Sequence, residues 1–239
     1  YYAPNNAMLV VVGDVDMAEC LAQIRARYGD IPAQPIPPEP PRPEPEQTAE
    51  RTVERAIGVE TARLALGYKS PAMADPDHLA LTIVNEVLFG GRSARVHRAL
   101  VEEQEIAAET HGYVGNFRDP SLWDMYLSAR AEASVDELLA ALDVELDRAI
   151  SEPISEAERQ RAVARIQLGA LTQLETAAGK AEQIGFSELV LEDPAATFTR
   201  LAAYEATTLT AVREAAERYL DRRRRTLVRV EPSRRGGPC

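Results

Sequence analysis

The sequence predicts an α+β fold in which an antiparallel sheet is covered by helices on one face. Three observations predict it. Residues 122–131 alternate cleanly, with Trp123, Met125, Leu127 and Ala129 on one side and Asp124, Tyr126, Ser128 and Arg130 on the other. One buried and one wet face belong to an antiparallel sheet packed on one side. Two capping boxes, Ser134-x-x-Glu137 and Ser155-x-x-Glu158, each precede an apolar stripe at helical spacing. Strand patterns lead and helix patterns follow, without regular alternation.

Taken in order, residues 8–12 are apolar on both faces and read as a short, fully buried strand. Gly13-Asp14 ends it. Asp16 is placed to cap a helix that carries Leu21, Ile24 and Tyr28 and stops at Gly29. Eight of the sixteen prolines then fall between Pro32 and Pro45. Such a stretch neither pairs in a sheet nor sustains a helix, so it is an extended spacer reaching roughly 43 Å. Residues 61–68 alternate, with Ala62, Leu64, Leu66 and Tyr68 on one face. Asp75 or Asp77 opens a helix through Leu79, Ile83, Val87 and Leu88, broken at Gly90-Gly91. A second helix carries Val96 and Leu100, with Ser93 as its N-cap. Residues 106–114 read as a strand. The capping boxes start helices through Val135, Leu138, Leu139, Leu142, Leu146 and Ile150, and through Val163, Ile166, Ala170 and Leu174. Helices are expected at 178–191 and 194–204, and another carries Leu209, Val212, Ala216 and Tyr219. Residues 226–230 close the chain as a strand. Residues 2–12 and 220–230 share a pattern at a domain-sized offset. They suggest the tail of one domain over 1–30 and a second, similarly built domain after the spacer.

Composition narrows the function. Apolar residues make up 45% and charged residues 27% of the 239, enough for a core. No apolar run approaches the roughly 20 residues that span a bilayer. A net charge of −11 disfavours nucleic acid and favours basic peptides as partners. Cys20 and Cys239 are too few for a disulfide framework or a four-cysteine zinc site. Cys20 reads as a small buried hydrophobe, and Cys239 as part of a frayed end. The chain opens at Tyr1 without an initiator methionine or signal-like segment and is read as a piece of something longer.

Three histidines, His78, His97 and His111, form no pair at helical metal-ligand spacing. His78 and His97 read as solvated. Glu109 and His111, two apart on a strand, share a face. They read as a polar cross-strand pair in preference to an acid–base or half-metal pair. Gly90-Gly91-Arg92-Ser93 precedes a helix, as a phosphate-cradling turn does, although capping by Ser93 is the simpler account. Residues 222–225 are a run of arginines before the last strand and read as a solvated turn. No self-contained catalytic set appears.

A resemblance adds to this. Residues 1–14, Tyr-Tyr-Ala-Pro-Asn-Asn-Ala-Met-Leu-Val-Val-Val-Gly-Asp, look like the segment ending the first domain of pitrilysin/insulinase-like zinc metallopeptidases, which include the mitochondrial processing peptidases and bacterial relatives. The proline-rich spacer resembles that family's interdomain linker. Residues 88–96, Leu-Phe-Gly-Gly-Arg-Ser-Ala-Arg-Val, and 98–103 resemble the opening helices of its second domain. The family pairs a zinc-binding domain with a similar, usually silent one, and the two close over a peptide.

The resemblance therefore implies residues 1–30 as the last strand and helix of a catalytic-type domain and 31–50 as linker. It implies 51–232 as the non-catalytic, processing-peptidase-like domain and 233–239 as a tail. Thr82, Asn85 and Glu86 stand where the zinc helix carries its two histidines and glutamate, and cannot replace two imidazoles. Zinc is thus expected only in a catalytic domain upstream or in a partner, with no cofactor and no catalytic or metal residue in this chain. Active relatives carry an Arg and a Tyr seven residues apart to touch substrate. Here those positions hold Val101 and Ala108, whose side chains form no hydrogen bonds. Gly90, Gly91, Arg92 and Arg95 are the expected substrate contacts. The implied partners are a peptide or unfolded polypeptide and an upstream catalytic domain or partner subunit, in a homo- or heterodimer. The implied function is to close a peptide-binding chamber; the alternative is a scaffold subunit of a complex with no zinc site. The envelope is preferred over the cytoplasm as the compartment.

Overall fold

The computed structural model describes residues 1–40 and 44–233. Pro41, Arg42 and Pro43 of the spacer, and the expected tail from Arg234 to Cys239, lie outside the described residues. The elements are α1 (Met17–Tyr28), β1 (Arg51–Ile57), β2 (Arg63–Ser70), α2 (Pro76–Phe89), α3 (Arg95–His97) continued by a π-helical turn (Arg98–Glu103), β3 (Ala107–Val114), β4 (Ser121–Ala129), α4 (Val135–Ser151), α5 (Glu156–Gln173), α6 (Ala177–Leu191), α7 (Ala196–Ala206), α8 (Leu209–Tyr219) and β5 (Arg225–Pro232). They divide into two units: Tyr1–Glu46 with Gly169–Thr199, and Gln47–Leu168 with the chain from Arg200 onward.

The larger unit holds one five-stranded sheet in the order β1-β5-β2-β4-β3. The fold class is the α+β class expected, with an antiparallel sheet except for β1 and β5, which pair in parallel at one edge. Period-two alternation decides which face is covered. Leu64, Leu66 and Tyr68 of β2, Trp123, Met125, Leu127 and Ala129 of β4, and Leu227 of β5 are buried on one face. Onto that face pack Ile83, Val84, Val87 and Leu88 of α2, Leu138, Leu142 and Leu146 of α4, and Val212, Ala215 and Ala216 of α8, in one core cluster. Tyr68 and Trp123 meet at its centre, ring centroids 6.1 Å apart. The opposite face carries Ala65, Gly67, Asp124, Tyr126, Glu109 and His111, all half-buried or exposed.

Caps set the helix limits. Asp75 caps α2, its side chain accepting from Asp77 N at 2.9 Å. Both capping boxes are formed: Ser134 and Glu137 exchange hydrogen bonds at the start of α4, and Ser155 and Glu158 do so at α5.

In the smaller unit, Asp16 caps α1 as expected, and Gly185 of α6 sits against Val10, where a Cβ would lie 2.8 Å from Val10 Cγ2. Asn5 and Gln34 exchange two hydrogen bonds of 3.0 Å. Residues 169–199, expected within 51–232, group here with residues 1–46.

Five expectations are corrected. Residues 8–12 form no strand among the described residues, and Met8, Leu9 and Val11 are exposed; an apolar run becomes a strand only with a neighbour to complete its ladder. No α1 residue is buried and Cys20 is only half-buried, because α1 turns no face into a core. Ser93 is not the N-cap of α3: the turn closed by Ala94 N donating to Gly91 O delays the helix by one residue, and Ala94 holds the cap position. His78 is fully buried rather than solvated, because the far side of its helix turn is covered too. Arg225 is buried, not part of a solvated turn, since it starts β5 on the covered face.

Candidate functional site

The helix α2 holds Thr82, Asn85 and Glu86, the positions that the resemblance aligns with a metal helix. It is apolar on nearly every side, and Ala80, Leu81, Ile83, Val84, Val87, Leu88 and Phe89 are all buried. Its few polar side chains therefore meet protein rather than bulk water, and each must find a partner there.

Thr82, Asn85 and Glu86 each do so. Thr82 Oγ1 donates to the His78 carbonyl one turn back at 2.7 Å. Asn85 bridges helix and sheet: its Nδ2 donates to Gly112 O at 3.1 Å, and its Oδ1 accepts from Trp123 Nε1 at 2.8 Å. The bridge requires glycine at 112, where a Cβ would stand 2.4 Å from both Asn85 Oδ1 and Phe89 Cδ2. Glu86 Oε2 accepts from Arg165 Nε of α5 at 3.2 Å. Each position is thus held in a bond internal to the protein. Among the described residues, no three His, Cys, Asp or Glu side chains gather as a metal-holding group.

The expected substrate contacts surround the end of this helix. Gly91 has φ +83°, the left-handed region that favours glycine, and a Cβ there would sit 2.9 Å from the Arg165 guanidinium. Arg92 is 87% exposed and pairs with Glu102 at 3.2 Å. Arg95 is drawn inward: it donates to Glu158 from Nε (2.8 Å) and Nη2 (3.0 Å), and to the carbonyls of Arg148 and Glu152 at 3.4 Å. The Arg95 guanidinium holds the Glu158 carboxyl down at about 2, against the opposing effect of burial. The hollow bordered by Gly90, Ser93, Glu158, Arg161 and Arg165 has a volume of only about 10 Å³, room for a single water and no side chain of a substrate. Val101 packs against the core, and Ala108 is exposed at the start of β3.

The other candidates disperse. Glu109 and His111 are exposed on the wet face of β3, opposite Ser128 and Tyr126 of β4. Two arginines of the run meet acids of α4: Arg222 pairs with Asp143 and Asp147, and Arg225 with Asp143 and, outside α4, with Glu50 at 2.6 Å.

Sequence reading missed His78. Its Nδ1 lies 3.4 Å from an Arg200 nitrogen, and its Nε2 lies 3.2 Å from Gly115 O. Arginine only donates, so Nδ1 accepts and the Nε2 proton goes to Gly115 O. Arg200 also donates to Met73 O at 3.2 Å and lies 5.9 Å over the Tyr204 ring. No local motif announces this, because the partners come from 37 and 122 residues away. Burial, reinforced by the Arg200 charge and only partly opposed by Gly115 O and Asp75, lowers the His78 pKa to about 4. A histidine that resists protonation when folded destabilises the fold as its unfolded form takes up protons. Stability is expected to fall by about 3 kcal/mol between pH 6.5 and pH 4, then to level for this group. Urea titrations across that range check it, and His78→Gln is expected to flatten the slope.

No helix among the described residues is long and apolar enough to cross a membrane. A family model described as the peptidase M16 inactive domain matches residues 1–166. An uncharacterised zinc protease of Streptomyces coelicolor is 28% identical over 236 residues, covering 93% of this chain and 50% of that protein. The chain thus spans about half the length of this curated relative. A protease from Helicobacter pylori shares the fold with a TM-score of 0.83 at 20% identity, over 92% of this chain and 54% of that one. The periplasmic protease PqqL of Escherichia coli does so with a TM-score of 0.69 at 20% identity, over 92% of this chain and 24% of that one.

Proposed function

The chain belongs to the family of peptidase M16 inactive domains, and from that premise we propose that it closes a peptide-binding chamber over a zinc-bearing catalytic domain that it does not itself contain. The observation that carries the reading is the state of Thr82, Asn85 and Glu86. Each makes a bond inside the protein, so the helix that resembles a metal helix acts as a structural element joined to sheet and α5. Thr82, Asn85 and Glu86 offer no pair of imidazoles to hold a metal ion, so this helix supplies no metal-activated water in this reading. Hydrolysis in the whole protein then belongs to the other half, and zinc with it.

In this reading residues 1–30 complete the preceding domain, 31–50 link, 51–232 form the inactive domain and 233–239 are its tail. The lack of helix or strand among the described residues between α1 and β1 supports the linker. Gly90, Gly91 and Arg92 border the chamber, while Arg95 anchors α3 to α5 through Glu158. The substrate is a peptide or unfolded polypeptide, and an envelope location completes the proposal.

The test adds this chain in trans to the upstream half of the parent protein and follows chelator-sensitive cleavage of an unfolded peptide. The expected result is little cleavage by either part alone and a clear gain on mixing. No gain removes the chamber-closing role. An upstream half that lacks an H-x-x-E-H helix and cleaves nothing, alone or mixed, turns the chain into a scaffold subunit.

A further inference from the structure

We infer that Gln47 and Glu50 form a clamp that fixes the downstream end of the proline-rich spacer to Arg225, and that this clamp holds the inactive domain in place for closing over a peptide with the upstream half. The inference rests on the chamber-closing reading and names the positioning residues through which this half is held.

Burial marks the clamp. From Pro4 to Thr61, Gln47 is the only buried residue among those described, and it is polar. A buried amide is costly unless it finds partners, and three bonds supply them. Its Nε2 donates to Arg225 O at 2.6 Å and to Arg223 O at 3.5 Å, and its Oε1 accepts from Thr226 Oγ1 at 3.3 Å. All three partners lie at the entry to β5. β1 pairs with β5 only from Arg51 opposite Thr226 onward, so the Gln47 side chain stands in for a strand one residue earlier. Glu50 grips the same arginine by its side chain: its Oε2 accepts from Arg225 Nε at 2.6 Å. Arg225 in turn donates to Asp143 of α4 at 3.2 Å and to the Tyr68 hydroxyl at 3.5 Å, so the clamp is seated on the core of the larger unit.

The upstream end of the spacer is held in a similar manner inside the smaller unit. Asn5 Nδ2 donates to Gln34 O, and Asn5 Oδ1 accepts from Gln34 N, both at 3.0 Å. A side-chain amide bonded to main chain thus secures each end of residues 35–46, seven of which are prolines. A proline-rich chain is semi-rigid, and a semi-rigid spacer carries position from one end to the other only when its ends cannot swivel. Secured ends also raise the effective concentration of one half beside the other, which favours the closed state without any new contact. Loosening the downstream end at Gln47 and Glu50 then lowers the fraction closed and leaves the closed state itself unaltered.

The experiment uses the full 239-residue chain and the double variant Gln47→Leu, Glu50→Ala, with Glu50→Gln as the conservative change that keeps an acceptor for Arg225. Amide relaxation first measures order. The amides of residues 47–50 are expected to have order parameters of about 0.85 in the native chain and below about 0.6 in the double variant, with those of β2 and β4 unchanged. Each chain is then mixed with the upstream half, and chelator-sensitive cleavage of an unfolded peptide is followed. The double variant is expected to raise KM by about tenfold at unchanged kcat, because the closed state forms less often but reacts as before. Glu50→Gln is expected to keep both the order and the KM of the native chain. Native order at 47–50 in the double variant, a native KM, or a loss confined to kcat each overturn the inference. If the native chain still produces its gain in cleavage, only this inference falls. If the native chain gives no gain, the chamber reading falls and the positioning role of the clamp with it.

Discussion

Replacing Trp123 with alanine is expected to cost about 3–5 kcal/mol, a large share of what a domain of this kind has in reserve. Trp123 is fully buried at the centre of the sheet and packs against Tyr68. Alanine leaves a cavity between the sheet and α2 that close-packed neighbours fill only in part. It also removes the indole N–H that Asn85 Oδ1 accepts, leaving a buried amide oxygen without a donor. Trp123→Phe separates the two effects, because it keeps most of the volume and loses only the hydrogen bond; a cost of about 1–2 kcal/mol is expected. Denaturant midpoints measured on both variants check the result. An alanine variant as stable as the native chain would contradict the packing described here.

The second large effect is expected at Arg225. Its side chain is 4% exposed and meets Asp143, Glu50 and the Tyr68 hydroxyl at once. Arg225→Met keeps the apolar stem but strands the Asp143 carboxylate, whose side chain is only 15% exposed. Removing one member of a buried pair leaves an uncompensated charge, and about 3 kcal/mol is expected to be lost. Arg222, 3.4 Å from Asp143, keeps the loss from reaching the top of the usual range. Adding Asp143→Leu to Arg225→Met is expected to restore much of it, since two apolar groups in contact replace the stranded charge. A double-mutant cycle in urea measures the coupling. Strict additivity of the two costs would mean that the ion pair contributes nothing beyond its separate side chains.

The same residues show how far the sequence could be read. The alternation at Trp123 to Ala129 and the two capping boxes carried the fold class, because local backbone rules leave a local record. β1 left none. Arg51, Thr52, Val53, Glu54 and Arg55 have no buried face, and their strand exists because β5 stands beside them. The run at 8–12 failed in the opposite way: its apolar pattern is strong, but no neighbouring strand among the described residues completes it. The resemblance pointed to Thr82, Asn85 and Glu86 as positions unable to hold zinc. It could not say what they do instead, since Gly112, Trp123 and Arg165 lie 27 to 79 residues away. His78 and Arg225 were misjudged for the same reason: whether a charged or titratable group is wet depends on what packs above it.

By itself, then, the sequence determined the periodicities and the capped starts of α1, α2, α4 and α5, all of them matters of residue type and spacing along the chain. Only the tertiary structure decided which polar groups became internal bonds and which apolar run stayed outside a sheet among the described residues. Those outcomes depend on partners distant in sequence, and a buried polar group is stabilised or stranded according to the atoms brought beside it when the sheet and helices close.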